Sequence, residues 1–544
     1  MEKKSSPDEK NSGERRKIFI YDTTLRDGSQ GLGYSWTLED KLKIAKVLDD
    51  FGVDYIEGGW PGSNPKDEEF FKLMRGEKLK KAKLVAFGST CRQGKKAETD
   101  EQLIKLVSAD TPTITIYGKS WTLHVEKVLR TTLEENLRMI KDSVKFLKGE
   151  GREVIFDAEH FFDGFRYNKT YAIKCIESAI EGGADWIVLC DTNGGSLPWF
   201  VRETIEEVIG LFPEIKFGIH VHNDLDLAVI NSIEAVRVGV TQVQGTINGL
   251  GERCGNANLT SIIPILKFKM GFDISPDVSK LKEVSDIIWE LSNFSPPKNQ
   301  PFVGESAFAH KGGVHIDAIS KEISSYEHMN PELVGNKRKI LVSDLAGKTA
   351  IKLKLEELGF EPDEKVAKRI LEKIKHLEKE GYDFEMADAS LYILILEELG
   401  KKPKFFDFES FTVLIYRAEN EEGKKSGSDI HCQATVRLSV DGIREHTASD
   451  GNGPVNALDK ALRKALEKFF PEIKEIELTD FRVRVVSGSQ GTGAKVRVFI
   501  ESGDKKRRWG TVGVSENIIQ ASWKALMDSI EYKLILERTN ILRK

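Results

Sequence analysis

The sequence has few of the features that mark secreted, membrane-bound or nucleic-acid-binding proteins. Its five cysteines are scattered over 544 residues without a CxxC pair, so we expect neither a disulfide framework nor a cysteine-rich zinc site. No apolar run approaches the ~20 residues that a membrane-spanning helix needs. The formal net charge is only −5, which provides no bulk field to attract nucleic acid. We therefore predict a cytoplasmic protein with reduced thiols that binds neither a membrane nor nucleic acid.

The N-terminal segment also lacks the apolar stretch of a signal peptide, and we expect residues 1–16 to form a disordered tail. From Lys17 to about Phe272, short apolar runs alternate with amphipathic segments such as Asp40–Phe51 and Leu133–Leu147. Eight runs are typical of strands, namely Ile18–Tyr21, Tyr55–Glu57, Leu84–Phe87, Thr113–Tyr117, Glu153–Phe156, Trp186–Leu189, Phe217–Val221 and Gln242–Thr246.

Strands that alternate with helices indicate βαβ units and a parallel sheet. Eight such units in about 250 residues match an α/β fold of the closed (β/α)8 or TIM-barrel type. An open doubly wound sheet is the alternative, but its first strand is usually followed by a glycine-rich phosphate loop. The segment DTTLRDGSQ follows the first predicted strand here and is not such a loop.

Polar residues follow the predicted strands, where TIM barrels carry their active sites. In the segment HVHND, His220 and His222 point to the same side of a strand, and two such imidazoles can bind one divalent metal. The alternative is a pair of solvated histidines on a half-exposed strand. The other polar groups at strand ends are Arg26, Asp27, Glu57, Glu159, Asp191, Thr192 and the segment Asn248–Asn256.

The second half of the chain has a different pattern. Residues 274–404 consist mainly of amphipathic segments at the helical period, so a helical linker region is predicted there. Three strand-like segments and a helix then occur twice, which predicts an α+β domain of two βββα units. The predicted organisation is a tail, a barrel, a helical linker and a C-terminal domain, over residues 1–16, 17–273, 274–404 and 405–544.

Three segments, DTTLRDGSQ, HVHND and NGLGERCGNANL, together resemble the metal-dependent barrel family of 2-isopropylmalate, homocitrate and citramalate synthases. Four further sequence segments are most similar to the citramalate branch, namely YIEGGWPGSNPKD, FGSTCR, DAEHFFDG and LCDTNGG. The resemblance implies an acyltransferase that condenses acetyl-CoA with pyruvate and hydrolyses the thioester, in isoleucine biosynthesis. The alternatives are a sibling synthase that uses 2-oxoisovalerate or 2-oxoglutarate, a metal-dependent lyase, and a non-catalytic amino-acid sensor.

The resemblance assigns metal ligation to Asp27, His220 and His222, with Asn256 as a weaker fourth ligand. One carboxylate and two imidazoles leave coordination positions open, as catalytic sites do. Such a set suits Mn, Zn, Mg or Co, and the sequence does not distinguish them. The alternative for Asp27 is a turn or helix-cap role. Asp224 is expected either to orient a ligand imidazole or to cap a helix.

The resemblance also implies roles around the metal. Arg26 would stabilise the developing alkoxide, or else form only a structural salt bridge. Thr192 would bind the carboxylate of the 2-oxo acid, or else cap the next helix. Glu159 would lie close to the 2-oxo acid as a catalytic residue that holds a water or positions the enolisable group, or else pair with a lysine or arginine. Gln30 would also face the substrate.

The catalytic base is implied by the segment AFAHKGGVHIDAI, Ala307–Ile319, which resembles a linker that enters the partner subunit's active site. His315 is the matching base, His310 is its rival, and Tyr326 would contact substrate. The alternative is that both histidines only pack the linker. A homodimer is therefore expected. The C-terminal domain resembles the family's regulatory domain, with isoleucine as the effector and the loops GNGP and VGVSEN as its site, unless the domain only dimerises.

Overall fold

The structure is a computed structural model that describes residues 15–343, 346–417, 430–486, 491 and 493–539. The predicted tail lies almost entirely outside the described residues. The chain divides into two compact units. The first contains the residues up to Phe308 together with Asn330–Lys337, and the second contains Ala309–Met329 and the chain from Arg338 onward. No helix in the described ranges combines the length and the apolar character that crossing a bilayer requires.

The first unit is built on eight parallel strands that close into a barrel, each paired with its neighbours in chain order and the first with the eighth. This confirms the predicted (β/α)8 fold. Tyr21, Tyr55, Val85, Ile155 and Trp186, from five different strands, belong to one buried cluster. The strands are β1 Phe19–Asp22, β2 Tyr55–Gly59, β3 Lys83–Ser89, β4 Thr113–Lys119, β5 Glu153–Glu159, β6 Trp186–Asp191, β7 Phe217–Val221 and β8 Gln242–Gly245.

Helices separate the strands along the chain. The first helix begins with a capping box, in which Thr37 accepts from the backbone of Asp40 and the Asp40 side chain accepts from Thr37, and it ends at Gly52 with φ 95°. These two signals fix the connection between the first two strands. The helices of this unit are α1 Leu38–Phe51, α2 Pro65–Met74, α3 Glu101–Ser108, α4 Leu133–Gly149, α5 Phe161–Gly182, α6 Pro198–Leu211, α7 Ala228–Arg237, α8 Leu259–Pro264 and α9 Leu281–Leu291.

The second unit contains a group of helices and two three-stranded antiparallel sheets, each followed by a helix. The two predicted βββα repeats are therefore confirmed. The helices before the repeats are α10 Gly313–Lys321, α11 Lys348–Glu357, α12 Glu364–Lys379 and α13 Asp388–Glu398, and a two-residue pair, β9 Ala309–His310 and β10 Lys339–Ile340, joins them. The repeats consist of β11 Asp407–Arg417, β12 Ile430–Val440, β13 Ile443–Gly451 and α14 Pro454–Leu466, then β14 Glu477–Val485, β15 Val496–Gly503, β16 Arg508–Ser515 and α15 Ile518–Arg538.

Besides a small cluster between β15 and α15, the described residues of the second unit form one large hydrophobic core. It includes Ile316 of α10, Ile370 of α12, Ile395 of α13, Val436 of β12 and Leu534 of α15, all buried. The helices that precede residue 404 therefore share a core with the βββα repeats, since burying a common apolar surface is what holds a compact unit together.

Candidate metal centre and active site

Three candidate ligands meet at the carboxyl end of the barrel. Asp27 lies in the turn after β1, His220 lies in β7 and His222 follows that strand directly. The Asp27 Oδ2 atom is 3.2 Å from His220 Nε2 and 3.7 Å from His222 Nε2. All three side chains are buried, and their ligand atoms lie within 4.8 Å of one another. This spacing suits three ligands of one divalent ion.

The charges around this cluster prepare it for a cation. Burial opposes ionisation of Asp27, but Arg26 and the two histidines outweigh it and hold the pKa of that carboxyl below its usual range. Burial lowers the pKa of His222 to about 4, so this imidazole is neutral at physiological pH. For His220, burial is outweighed by the hydrogen bond and charge of Asp27, which raise its pKa. An ionised carboxylate beside imidazoles is the donor set that Zn²⁺ and Mn²⁺ accept.

The fourth predicted ligand also reaches this place. Asn256 forms a β-bridge with His222, and its Nδ2 donates to the carbonyl of Leu250 at 3.3 Å. Its Oδ1 is buried and has no hydrogen-bond partner among the described residues, and the same is true of His222 Nδ1. A buried oxygen without a partner is costly unless something else binds it. A divalent cation would meet this need, so the residues present fit a metal.

Arg26 is held beside the three ligands by a buried carboxylate. Its Nε donates to Glu57 Oε1, and its Nη1 is 3.6 Å from Asp27 Oδ1. The guanidinium also lies 3.7 Å above the ring of Phe87. Burial opposes the charged form, but the carboxylates of Glu57 and Asp27 outweigh it and raise the pKa of Arg26. The structure thus contains the salt bridge that was weighed as an alternative role, and it also places the charge next to the candidate metal site.

Glu57 and Gln244 were not assigned a role from the sequence. Glu57 is fully buried in β2 and also accepts from the hydroxyl of Tyr21 at 2.6 Å. Gln244 Oε1 is 3.0 Å from His220 Nδ1, and Gln244 Nε2 donates to Asp157 Oδ1 at 3.3 Å. Metal-binding histidines usually donate their second ring nitrogen in this way. Polar residues inside otherwise apolar strands, as in YIEGG and QVQG, were the available sequence signal.

The expectation that Asp224 orients a ligand imidazole is wrong for His220, because Gln244 occupies the position beside its Nδ1. Asp224 instead accepts two hydrogen bonds from Arg253. It does not cap a helix either, since α7 begins four residues later with Leu227 at its N-cap. Asp224 differs from the prediction because the loop after β7 turns its carboxylate toward Arg253, in the segment after β8.

The three other predicted contacts lie at the same end of the barrel. Thr192 follows β6, and its hydroxyl accepts from the backbone N–H of His160 at 2.9 Å. Glu159 is the last residue of β5 and pairs with Lys119, which corresponds to the alternative weighed for it. Gln30 ends a short 3-10 helix after β1 and is exposed to solvent.

The predicted base and its rival belong to the second unit and have different surroundings. His310 Nε2 is 3.1 Å from Glu327 Oε1, and this buried carboxylate also accepts two hydrogen bonds from Arg338. His315 is exposed on α10, and its ring stacks on Tyr326 with a centroid distance of 4.2 Å. The structure thus brings together two residues that the sequence assigns to substrate chemistry, and it holds His310 in an ion-pair cluster.

Comparisons with known proteins show which family the chain belongs to. The model of the HMGL-like family matches residues 17–288, half of the chain. The chain is 57% identical to the (R)-citramalate synthase of Aquifex aeolicus over 523 residues, which covers 95% of this chain and 98% of that protein. The corresponding enzyme of Geobacter sulfurreducens is 53% identical over 95% of this chain and 97% of the relative. The chain belongs to the citramalate synthase family. As a member of this family it is an acyltransferase.

Two further family models match the second half of the chain, and one of them is a regulatory domain. The homocitrate synthase post-HMGL domain-like family matches residues 302–382, and the LeuA allosteric (dimerisation) domain matches residues 385–534. The 2-isopropylmalate synthase of Aquifex aeolicus is more distant, at 34% identity over 97% of this chain and 98% of that protein. The match to the LeuA allosteric domain thus confirms that this chain has the predicted regulatory domain of the family.

The two loops predicted to bind an effector lie at equivalent positions in the regulatory domain. The first precedes α14, whose N-cap is Gly453 and whose first residue is a proline. The second precedes α15, where the Asn517 side chain accepts from the backbone N–H groups of Ile519 and Gln520. Both loops place a helix N-terminus after the third strand of a repeat, and the first N–H groups of α14 have no side-chain cap, whereas Asn517 binds two of those of α15.

Proposed function

We propose that this enzyme condenses acetyl-CoA with pyruvate to give citramalate and CoA, in the biosynthesis of isoleucine. The observation that carries the proposal is the cluster of Asp27, His220 and His222 beside Arg26, in a chain 57% identical to an (R)-citramalate synthase. We assign the metal to these three ligands and Asn256. A divalent cation held there would supply Lewis acidity to the ketone of the 2-oxo acid.

The reaction makes separate demands on the protein. A base takes a proton from the acetyl methyl group, and the resulting carbanion carbon bonds to the ketone carbon of pyruvate. The ketone oxygen gains the electron pair of the carbon–oxygen double bond and becomes an alkoxide, which takes up the proton released to the base and ends as the tertiary hydroxyl group of the product. Water then attacks the thioester carbonyl, the carbon–sulfur bond breaks, and CoA leaves as a thiol. The reaction as a whole therefore requires a base, a cation at the alkoxide and a hydrogen-bond donor that holds the carboxylate of the 2-oxo acid.

Side chains of the barrel meet the last two demands. Arg26 offers a fixed positive charge whose position is set by Glu57 and Phe87, so little reorganisation is needed as the alkoxide forms. The hydroxyl of Thr192 is the donor for the carboxylate of the 2-oxo acid. Gln30 completes the substrate contacts of the barrel. Glu159, which is held by Lys119, is assigned the catalytic role of holding a water or positioning the enolisable group.

The base is assigned to His315, with Tyr326 as a substrate contact. Histidine is the side chain that most often serves as a general base in enzymes. The exposed position of His315 in its own unit leaves the ring accessible, whereas His310 Nε2 is engaged in a hydrogen bond with Glu327. In a homodimer, the partner's His315 would serve the barrel, as the family resemblance implies.

The walls beside Arg26 favour a small 2-oxo acid. Trp60, Phe87 and Tyr117 pack against one another with centroid distances of 5.7 to 5.8 Å. These rings fill space next to the guanidinium that a larger side chain would need. A methyl against an isopropyl group is worth only a few kcal/mol of discrimination, or roughly 10- to 200-fold for each methylene. The aromatic group therefore supports pyruvate over 2-oxoisovalerate.

The regulatory proposal concerns isoleucine. The N–H groups at the start of α14, and those at the start of α15 that do not donate to Asn517, would receive the carboxylate of the amino acid, because a helix N-terminus favours negative charge. Inhibition by the end product would follow from binding there.

The test is an assay of thiol release with acetyl-CoA and a panel of 2-oxo acids, with the product identified by mass spectrometry. We expect pyruvate to give the highest kcat/KM and citramalate as the product. A preference for 2-oxoisovalerate or 2-oxoglutarate would assign the enzyme to a sibling activity. An absence of thiol release with every 2-oxo acid would contradict the synthase assignment.

A further inference from the structure

The loops that follow β6, β7 and β8 contact one another directly. The backbone N–H of His222 donates to the carbonyl of Asp191 at 3.2 Å, and that of Asn223 donates to Gly255 at 2.9 Å. Gly194 has a φ of +62°, and a Cβ atom there would come within 2.5 Å of the Asp224 carboxylate. The loops after β6 and β7 are thus packed too closely at Gly194 for a side chain to fit between them.

Arg253 joins all three loops. Its Nε donates to Asp224 Oδ1 at 2.7 Å, and its Nη2 donates to Asp224 Oδ2 at 2.9 Å. The same Nη2 donates to the backbone carbonyl of Thr192 at 2.8 Å. Arg253 also has a φ of 55°, a conformation that residues other than glycine rarely adopt. Such a backbone persists only where the surrounding contacts fix it.

We propose that Arg253 is a positioning residue that sets Thr192 relative to the metal ligands. Thr192 carries the hydroxyl assigned to the carboxylate of the 2-oxo acid, and its carbonyl is held by Arg253. Asp224 lies two residues after His222, and Asn256 lies three residues after Arg253. The guanidinium therefore connects the substrate hydroxyl with two ligand segments. This role rests on the proposed function, because it assumes that Thr192 binds the 2-oxo acid.

The role predicts which kinetic constant changes. Loss of the connection would let the Thr192 loop move relative to the cation, so the 2-oxo acid would bind less well. Misplacement of a binding group by 1 Å can cost on the order of a hundredfold. The ligands themselves are buried and are also held by β7 and by Gln244, so metal content should not change.

The experiment compares Arg253→Ala and Arg253→Lys with the parent enzyme, with acetyl-CoA and pyruvate as substrates. The matched control is Arg138→Ala. Arg138 lies on α4, and its Nε and Nη2 donate to the carboxylate of Glu135 on the same helix, a forked contact like that of Arg253 with Asp224. The side chains of Arg253 and Arg138 are similarly exposed, at 38% and 36%. The measurements are the KM of each substrate, kcat, metal content and thermal stability.

For Arg253→Ala we expect the KM of pyruvate to rise about tenfold or more, with metal content and the KM of acetyl-CoA within about twofold of the parent. Arg253→Lys should recover only part of the loss, since an ammonium group cannot make the same forked contacts. Arg138→Ala should match the parent.

Several outcomes would overturn the role. These are an unchanged KM of pyruvate, a loss of metal, or full recovery by lysine, which would assign the effect to charge alone. If Arg253→Ala does not fold, Asp224→Asn weakens the same contact, and an unchanged KM of pyruvate in that variant also overturns the role. If the parent itself releases no thiol, the proposed function fails and the role fails with it.

Discussion

At the scale of the residue, the charges of the barrel mouth determine what the site can bind. One guanidinium, Arg26, lies between two carboxylates, Asp27 and Glu57, so these three side chains together carry one net negative charge. A divalent cation changes this to one net positive charge, and the carboxylate of a 2-oxo acid would neutralise it. Asp157 adds only part of a negative charge near neutral pH, because burial raises its pKa to about 7. Buried charges are tolerated when they are compensated in this way.

Replacement of Arg26 tests whether its charge acts in the reaction or only in structure. Arg26→Ala should lower kcat on the order of 10²- to 10³-fold, because the developing alkoxide loses a fixed cation. Steady-state kinetics with saturating pyruvate measure the effect, and metal analysis serves as the control. A fall in kcat of less than about tenfold in a folded, metal-loaded variant would restrict Arg26 to its salt bridge with Glu57.

Paired substitutions of His315 and His310 distinguish the base from a structural histidine. His315→Ala should lower turnover by roughly 10²- to 10⁴-fold with unchanged thermal stability, since the ring is exposed. His310→Ala should instead lower the melting temperature, because Glu327 loses a buried partner. Both variants are followed by thiol release and by thermal unfolding. The opposite pattern would identify His310 as the base.

At the scale of the element, the sequence predicts where strands and helices occur better than where they end. The helix expected at Asp40 begins at Leu38, because the capping box of Thr37 and Asp40 starts it earlier. Strand β5 continues to Glu159 and β6 to Asp191, beyond their apolar runs. These extensions were not predicted because neighbouring parallel strands, rather than local apolar residues, supply the hydrogen bonds there.

The same limit applies to the candidate site. Asp27, His220, His222 and Asn256 were predicted from motifs, and the structure places them together. The contacts of Gln244 with His220, and of Arg253 with Asp224 and Thr192, join residues 24, 29 and 61 positions apart. Local patterns contain no information on such pairs, since they depend on the packing of whole strands and loops.

A single isosteric change at the start of α15 tests the regulatory loop. Asn517→Asp keeps an oxygen that can accept from Ile519 and Gln520, and it adds a negative charge at the helix N-terminus. The fold should be unaffected or slightly more stable, whereas inhibition by isoleucine should weaken because two carboxylates repel each other. Inhibition curves measure the change. Asn64→Asp at the N-cap of α2 is the control, and equal inhibition of all three proteins would remove the loop from the effector site.

At the scale of the whole molecule, the chain combines a catalytic barrel with a second unit that has its own core. Because Ile370 and Ile395 share that core with the βββα repeats, a chain cut at residue 404 would expose apolar surface. Point substitutions therefore test regulation more cleanly than truncation does.

The central claim is that one divalent ion, bound by residues from distant parts of the barrel, makes the enzyme active. The most direct measurement is thiol release from acetyl-CoA with pyruvate by protein stripped of metal, before and after a divalent ion is added back, with His222→Ala and the exposed His376→Ala for comparison. We predict no activity in the stripped protein, recovery on addition of Mn²⁺ or a similar ion, and no recovery in His222→Ala, while His376→Ala behaves as the parent. An undiminished rate in protein shown to be free of metal would contradict the account.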